Sequence, residues 1–211
     1  VFDLLFRDTL GEEVGRYMCH ILALALAGVR EKFIRFLIGM ANNGKSILSK
    51  ALHNALGQYF ASFDASILMV SQESDPAKRN RPLYLMKYAR ILMSQELSEC
   101  GKKADSNMIK SLSSGGDFMS GRTHGKEEQE FNPHGSLFAA MNDMSSKFDK
   151  MDDALSNRMM VIPYKVQFYT EAQLSDEQLL ADQAAGLLKK RADPELSKRL
   201  QTDEYADAIV L

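Results

Sequence analysis

The chain has 211 residues, 45% hydrophobic and 26% charged, which is enough apolar mass for one sizeable core and excludes disorder or low complexity as a description. Its formal net charge of -2 excludes a globally basic surface, so any nucleic-acid contact must come from a local patch. The longest apolar stretch, residues 21 to 29, falls short of the roughly 18 residues that cross a bilayer, and no membrane partner is expected. Two widely separated cysteines, Cys19 and Cys100, fit a reducing compartment and a packing role. No targeting signal is visible, so the expected location is cytoplasmic, and the opening on Val1 is that of a piece excised from a longer protein.

In chain order, Asp8 or Thr9 can cap a helix running from about Gly11, in which Val14, Met18, Ile21, Leu22 and Ala25 recur at three- and four-residue spacing. Residues 33–39 are a short apolar run rich in strand formers that ends on Gly39. The segment 46–57 then puts Ile47, Leu48, Ala51, Leu52 and Leu56 on one helical face, with Gly57 as its stop. Residues 59–63 read as a strand, and 71–82 as a loop broken by Pro76 and Pro82. A buried strand over 89–96 ends in a carboxylate, and a helix capped by Asp105 or Ser106 carries Met108, Ile109 and Leu112. A hairpin over 117–131 is followed by two more buried runs, 136–142 and 159–164. Beyond Lys165, Leu174, Leu179, Leu180, Leu187, Leu188, Leu196 and Leu200 lie among polar residues and predict a helical tail. The alternation predicts an α/β fold with a mostly parallel sheet covered on both faces, in three parts: an N-terminal helical segment over 1–30, a core over 31–165 and a C-terminal helical segment over 166–211 that continues further in the parent protein.

The chemistry concentrates at strand ends. GMANNGKS, residues 39–46, fits G-x-x-x-x-G-K-[ST], and the strand before it and helix after it argue for a phosphate-binding loop over an ordinary turn. In that reading Lys45 reaches the phosphates, the Ser46 hydroxyl holds Mg²⁺, and the N–H groups of Asn43, Gly44, Lys45 and Ser46 add the positive end of a helix. Glu96 is the candidate to orient metal and activate water, against the alternative of a solvated charge. Gln95 stands where an aspartate would complete an acidic pair, unless Glu99 substitutes. Asn142 could hydrogen-bond a γ-phosphate and the attacking water, or simply end a strand in a turn. Arg158 suits a transition-state phosphoryl group in a neighbouring subunit, or a surface ion pair with Asp152 or Asp153. The hairpin tip, with Arg122, His124, Gly125 and Lys126, could grip a phosphate backbone, although Glu127, Glu128 and Glu130 make the returning arm acidic. His20, His53 and His134 have no zinc-like spacing, and the 12 methionines read as core.

Taken in order, GMANNGKS, ARILMSQELSE, MIKSLSSGGDFMSGRTHGK, FNPHGSLFAAMND and DDALSNRMMVIPY resemble the superfamily 3 helicase domain of viral, phage and plasmid primase-helicases, the poxvirus-type enzyme among them, over nearly the whole chain. The resemblance implies an AAA+-like phosphate-loop ATPase that uses ATP and Mg²⁺ between subunits of a ring, usually hexameric, around one DNA strand. It also implies 3′ to 5′ travel on single-stranded DNA and a primase domain in the same parent chain. Carried over residue by residue, it assigns ATP binding to Gly39, Asn42, Asn43, Gly44, Lys45, Ser46 and Ile47 and catalysis to Lys45, Glu96, Asn142 and Arg158, the last donated across the interface. Ser46 and Glu96 would hold Mg²⁺, and Arg122, His124 and Lys126 would touch DNA. Lys110 matches a family lysine whose contact the motif does not give. Ala41 replaces a frequent second glycine, and Gln95 replaces an acid. The expected function is an ATP-dependent helicase motor in viral or mobile-element replication. The alternatives are an ATPase that remodels or loads replication proteins, indifferent to Arg122 and Lys126, and a non-catalytic ATP-binding assembly module.

Overall fold

The computed structural model describes residues 1–71, 73, 75–94, 103–114, 117–122, 125–143 and 148–210. Its strands are β1 (Ile34–Ile38), β2 (Phe60–Phe63), β3 (Ile91–Ser94), β4 (Met119–Gly121), β5 (Gln129–Phe131), β6 (Ser136–Met141), β7 (Met159–Pro163), β8 (Gln167–Tyr169) and β9 (Lys189–Arg191). Five of them form one sheet in the order β2-β3-β6-β1-β7, with every neighbouring pair parallel. That is the α/β architecture the alternating pattern predicts, and the buried runs explain it: β1, β3 and β6 are covered on both faces, so apolar side chains are needed at nearly every position.

Side-chain alternation divides the interior into two layers. Ile34, Phe36, Leu92, Leu137 and Ala139 face one core, filled by Met108, Ile109 and Leu112 of the helix Ser106–Leu112 and by Met119 and Phe131 of the hairpin. Leu37, Ile91, Met93, Phe138 and Ile162 face the other. There they meet Met18, Ile21 and Leu22 of the helix Glu12–Leu26, Leu48 and Leu52 of the helix Lys45–Leu56, and Leu200 of the tail. The two terminal segments therefore share a core with the sheet. No helix among the described residues is long and apolar enough to cross a membrane.

One charge lies inside this second layer. Arg35 of β1 is fully buried beside Phe138, whose ring its guanidinium overlies at 5.4 Å. Glu31 accepts from its Nη2, while Nε and Nη1 have no partner among the described residues. Removing the partner of a buried charge costs more than removing the charge. Glu31→Ala is therefore expected to lower unfolding free energy by about 3 kcal/mol, and Arg35→Met to be neutral or stabilising by about 1 kcal/mol. Urea melts of the two variants check the opposite signs, and equal losses would refute the argument.

Several local expectations are corrected. Pro76 does not break the chain: it occupies the first turn of the helix Pro76–Arg79, where a missing N–H costs nothing, and Asp75 caps that helix by accepting from the N–H groups of Ala77 (3.0 Å) and Lys78 (3.2 Å). Pro82 likewise lies in the first turn of the helix Arg81–Leu85. Neither Asp8 nor Thr9 caps the first long helix. Both belong to an earlier helical stretch, Asp3–Arg7 continued by Asp8–Leu10, and the Thr9 hydroxyl donates back to the Leu5 carbonyl at 2.6 Å. The tail is not purely helical: β8 and β9 pair in parallel around the helix Asp176–Ala184, and Leu180, Leu187 and Leu188 are exposed. Met40 and Met151 are exposed as well, unlike the core methionines. Cys19 is half-buried with a free thiol whose pKa burial pushes up, and Cys100 lies outside the described residues.

Candidate nucleotide site

Because β6 is inserted between β1 and β3, the C-terminal tips of β1 and β6 lie side by side, and the loop 39–44 leaves the sheet there. Gly39 donates its N–H to the Met141 carbonyl at 3.2 Å, which sets Asn142 next to the loop. No side chain fits at Gly39: a Cβ would lie 2.3 Å from both Asn43 Nδ2 and the Tyr164 carbonyl. Asn42 (φ 61°) and Gly44 (φ 90°) are left-handed, the backbone hand that lets successive N–H groups converge on an anion. Asparagine is among the few residues with a side chain that tolerates it.

The helix Lys45–Leu56 begins directly after Gly44, so its N-terminus faces the loop. Lys45 is buried, and its ammonium donates to the carbonyls of Gly39 and Met40, the latter at 3.2 Å. Asn43 is buried too; its Oδ1 receives the Lys45 N–H at 3.4 Å, and its Nδ2 has no partner among the described residues. Tyr164, whose phenol pKa burial pushes upward, backs the loop from below.

The loop is held from both flanks by segments that the motif says nothing about. On one side, a Cβ on Gly44 would lie 3.0 Å from Thr9 Cγ2 of the N-terminal turn. On the other, Phe168 N–H of β8 donates to the Asn42 carbonyl at 2.7 Å, and Gln167 Nε2 to the Ala41 carbonyl at 3.4 Å. Between these walls lies a cavity of about 600 Å³, lined by residues 40–47 and Asn142 and completed by Leu4, Asp8, Phe168 and Leu196. Ser46 is exposed within it. The apolar-polar alternation of Val166-Gln167-Phe168 signals an extended segment in the tail, but nothing in it says that the segment reaches the loop.

The other predicted residues lie elsewhere. Arg158 precedes β7, and its carbonyl accepts from the Ile34 N–H at 2.8 Å, which puts it at the start of β1. The loop is at the other end of that strand, roughly 16 Å away at ~3.3 Å per residue. Arg158 makes no ion pair with Asp152: its Nη1 donates to the Ala154 carbonyl at 2.7 Å. Asp152 is taken instead by Lys110 at 2.9 Å, and that ammonium together with the Leu155 N–H holds the pKa of its carboxyl below the usual range. Glu96, with Gln95 and Glu99, and His124 lie outside the described residues.

The hairpin forms as expected, with β4 and β5 antiparallel and Gly125 in the left-handed region at its turn. It is seated on Tyr84, whose hydroxyl donates to Gln129 at 2.6 Å and whose ring meets Phe131 edge-on at 5.4 Å. Arg122, at the end of β4, is exposed and makes a surface ion pair. Its guanidinium is paired with Asp75 at 2.6 Å, because β4 packs against the helix that Asp75 caps. Lys126 stands exposed. Of the histidines, His53 stacks edge-on against Phe60, while His20 and His134 are exposed. No cluster of three or more metal-ligating side chains occurs among the described residues.

No family model matches the chain. Over 192 residues, 90% of its length, it is 34% identical to the Sputnik virophage protein named "Putative helicase V13", and it spans 23% of that relative. Its fold is similar to the C-terminal region of NrS-1 in an apo form, with a TM-score of 0.63, 12% identity, and coverage of 99% of this chain and 43% of that one. It is also similar to the JCV helicase bound to a small molecule, with a TM-score of 0.58, 14% identity, and coverage of 99% and 52%. The homology is thus helicase-like, and the structural likeness concerns the fold.

Proposed function

We propose that this chain is the ATP-hydrolysing motor of a superfamily 3 DNA helicase, working with Mg²⁺ as a ring of copies around single-stranded DNA, with a primase domain in the parent protein. The observation that carries the reading is the loop itself: two left-handed residues, a glycine with no room for a side chain, and a buried lysine ammonium at the start of a helix, all at the tip of a central parallel strand. The residues present fit a polyphosphate. Lys45 and the N–H groups of residues 43–46 would hold it, the unpartnered Asn43 amide lies alongside, and Ser46 would share a Mg²⁺ with the phosphates. The metal would supply charge neutralisation at the β- and γ-oxygens. Asn142 would position the attacking water from the tip of β6, and Glu96 would take its proton.

ATP turnover at rising protein concentration, with and without single-stranded DNA, tests the motor reading. Turnover that rises with both supports it; turnover blind to DNA at stated salt sinks it. The remodelling ATPase is the alternative, in which the exposed Arg122–Asp75 pair stays as it is and the hairpin touches no DNA. Lys126→Ala separates the two readings. The helicase reading expects about a tenfold loss of DNA stimulation at matched salt, with basal turnover intact. The remodelling ATPase expects no change.

A further inference from the structure

The cavity continues past the phosphate loop into a slot between the tail and the N-terminal turn, and we infer that this slot takes the nucleobase, stacked on the ring of Phe168. The inference rests on the nucleotide reading of the loop and names the part of the ligand that the motif leaves undefined.

Three observations converge on Phe168. Its backbone is tied to the loop through the 2.7 Å bond to the Asn42 carbonyl, so its ring starts from the loop's edge. Its direction follows from strand pairing. Phe168 is in register with Lys190 of β9, and residues paired across parallel strands share a face. The Lys190 ammonium reaches Asp8 of the N-terminal turn at 2.8 Å, so the face that carries Phe168 looks across the cavity at that turn. Finally, Phe168 is half-buried and lines the cavity with Leu4, Leu5 and Leu196, and it belongs to neither core layer.

Electrostatics separates this end of the cavity from the other. At the loop end, the cavity is lined by Lys45, whose ammonium bonds the carbonyls of Gly39 and Met40, and by the N-terminus of the helix that begins there. At the slot, the cations are already matched: Lys190 with Asp8, and Arg191 with Asp176 and with the Leu174 carbonyl at 2.6 Å. Between the polar side chains of Asp8, Gln173, Arg191 and Asp193, the slot offers Phe168 and the three aliphatic leucines, a surface that suits a neutral planar ring with polar edges. Thr170, two residues on and therefore on the same face, stands at the rim.

The test compares two ligands on the full chain: ATP, and inorganic tripolyphosphate, which has the phosphates without the base. Phe168→Ala and Phe168→Leu are expected to weaken ATP binding about tenfold or more and to leave tripolyphosphate affinity unchanged, while Phe168→Trp returns ATP affinity to the wild-type value. The leucine variant keeps the apolar bulk and guards against a folding defect in the alanine one. Equal loss of both ligands in Phe168→Leu would mean that the ring only supports the loop, and unchanged ATP affinity would mean that it touches no base; either overturns the inference. If the wild-type chain binds neither ligand while remaining folded, the nucleotide reading itself fails and takes this one with it.

Discussion

Arg158→Ala is expected to reduce ATP turnover by about 10³-fold while leaving ATP affinity unchanged. The loop and Arg158 occupy opposite ends of β1, too far apart for the side chain to reach a phosphate bound in its own subunit. A role in phosphoryl transfer therefore requires a second copy. The guanidinium is partly prepared for one: Nη1 is held by the Ala154 carbonyl, and its buried Nε has no partner among the described residues. Arg158→Lys should not rescue, since an ammonium lacks the planar fork. Mixing supplies the decisive measurement. Arg158→Ala subunits keep an intact loop and Lys45→Ala subunits keep an intact arginine, so the two inactive variants together should regain turnover at their shared interfaces. A mixture that stays inactive would reduce Arg158 to closing the short helix Asp153–Ser156, a contact worth about 1 kcal/mol and visible only in thermal stability.

How far the sequence can be read depends on whether a residue's role is set by its neighbours in the chain or by distant packing. The parallel sheet was legible because β1, β3 and β6 are continuous apolar runs between turn signals, and a strand buried on both faces needs nothing else. The loop was legible for the same local reason, since Gly39, Gly44 and Lys45 act through their own backbone and spacing. Its walls were not. Thr9 and Phe168 reach the loop from more than thirty and more than a hundred residues away in sequence, and no periodicity carries that information. The tail was misread because its leucines suggested helix, whereas tertiary contact with the loop draws Gln167–Tyr169 into an extended strand. Arg122 shows the same limit for charge. The sequence places it at a basic tip, but Asp75, 47 residues earlier, is what the fold brings to it.

Lys45→Ala is expected to abolish the stabilisation that Mg·ATP gives and to lower turnover by about 10²- to 10³-fold. The ammonium rests on the carbonyls of Gly39 and Met40, two neutral acceptors of the loop itself. A triphosphate would offer charged oxygens, which add Coulombic attraction to bonds whose donor is already charged. The open cavity admits water to any loop carbonyl that the ammonium leaves. For the wild-type chain, nucleotide at a hundredfold excess over Kd should add about 2.7 kcal/mol, or about 6 °C in melting temperature for a domain of this size. Without the ammonium that shift should vanish. The melting temperature of the ligand-free variant should move by only a few degrees, because the ammonium bonds to carbonyls of one loop and belongs to neither core layer. Thermal melts with and without Mg·ATP, run beside the turnover assay, separate the possible results. A variant that keeps both the shift and more than about a tenth of the turnover would remove Lys45 from the site and, with it, the phosphate-loop reading of residues 39–46.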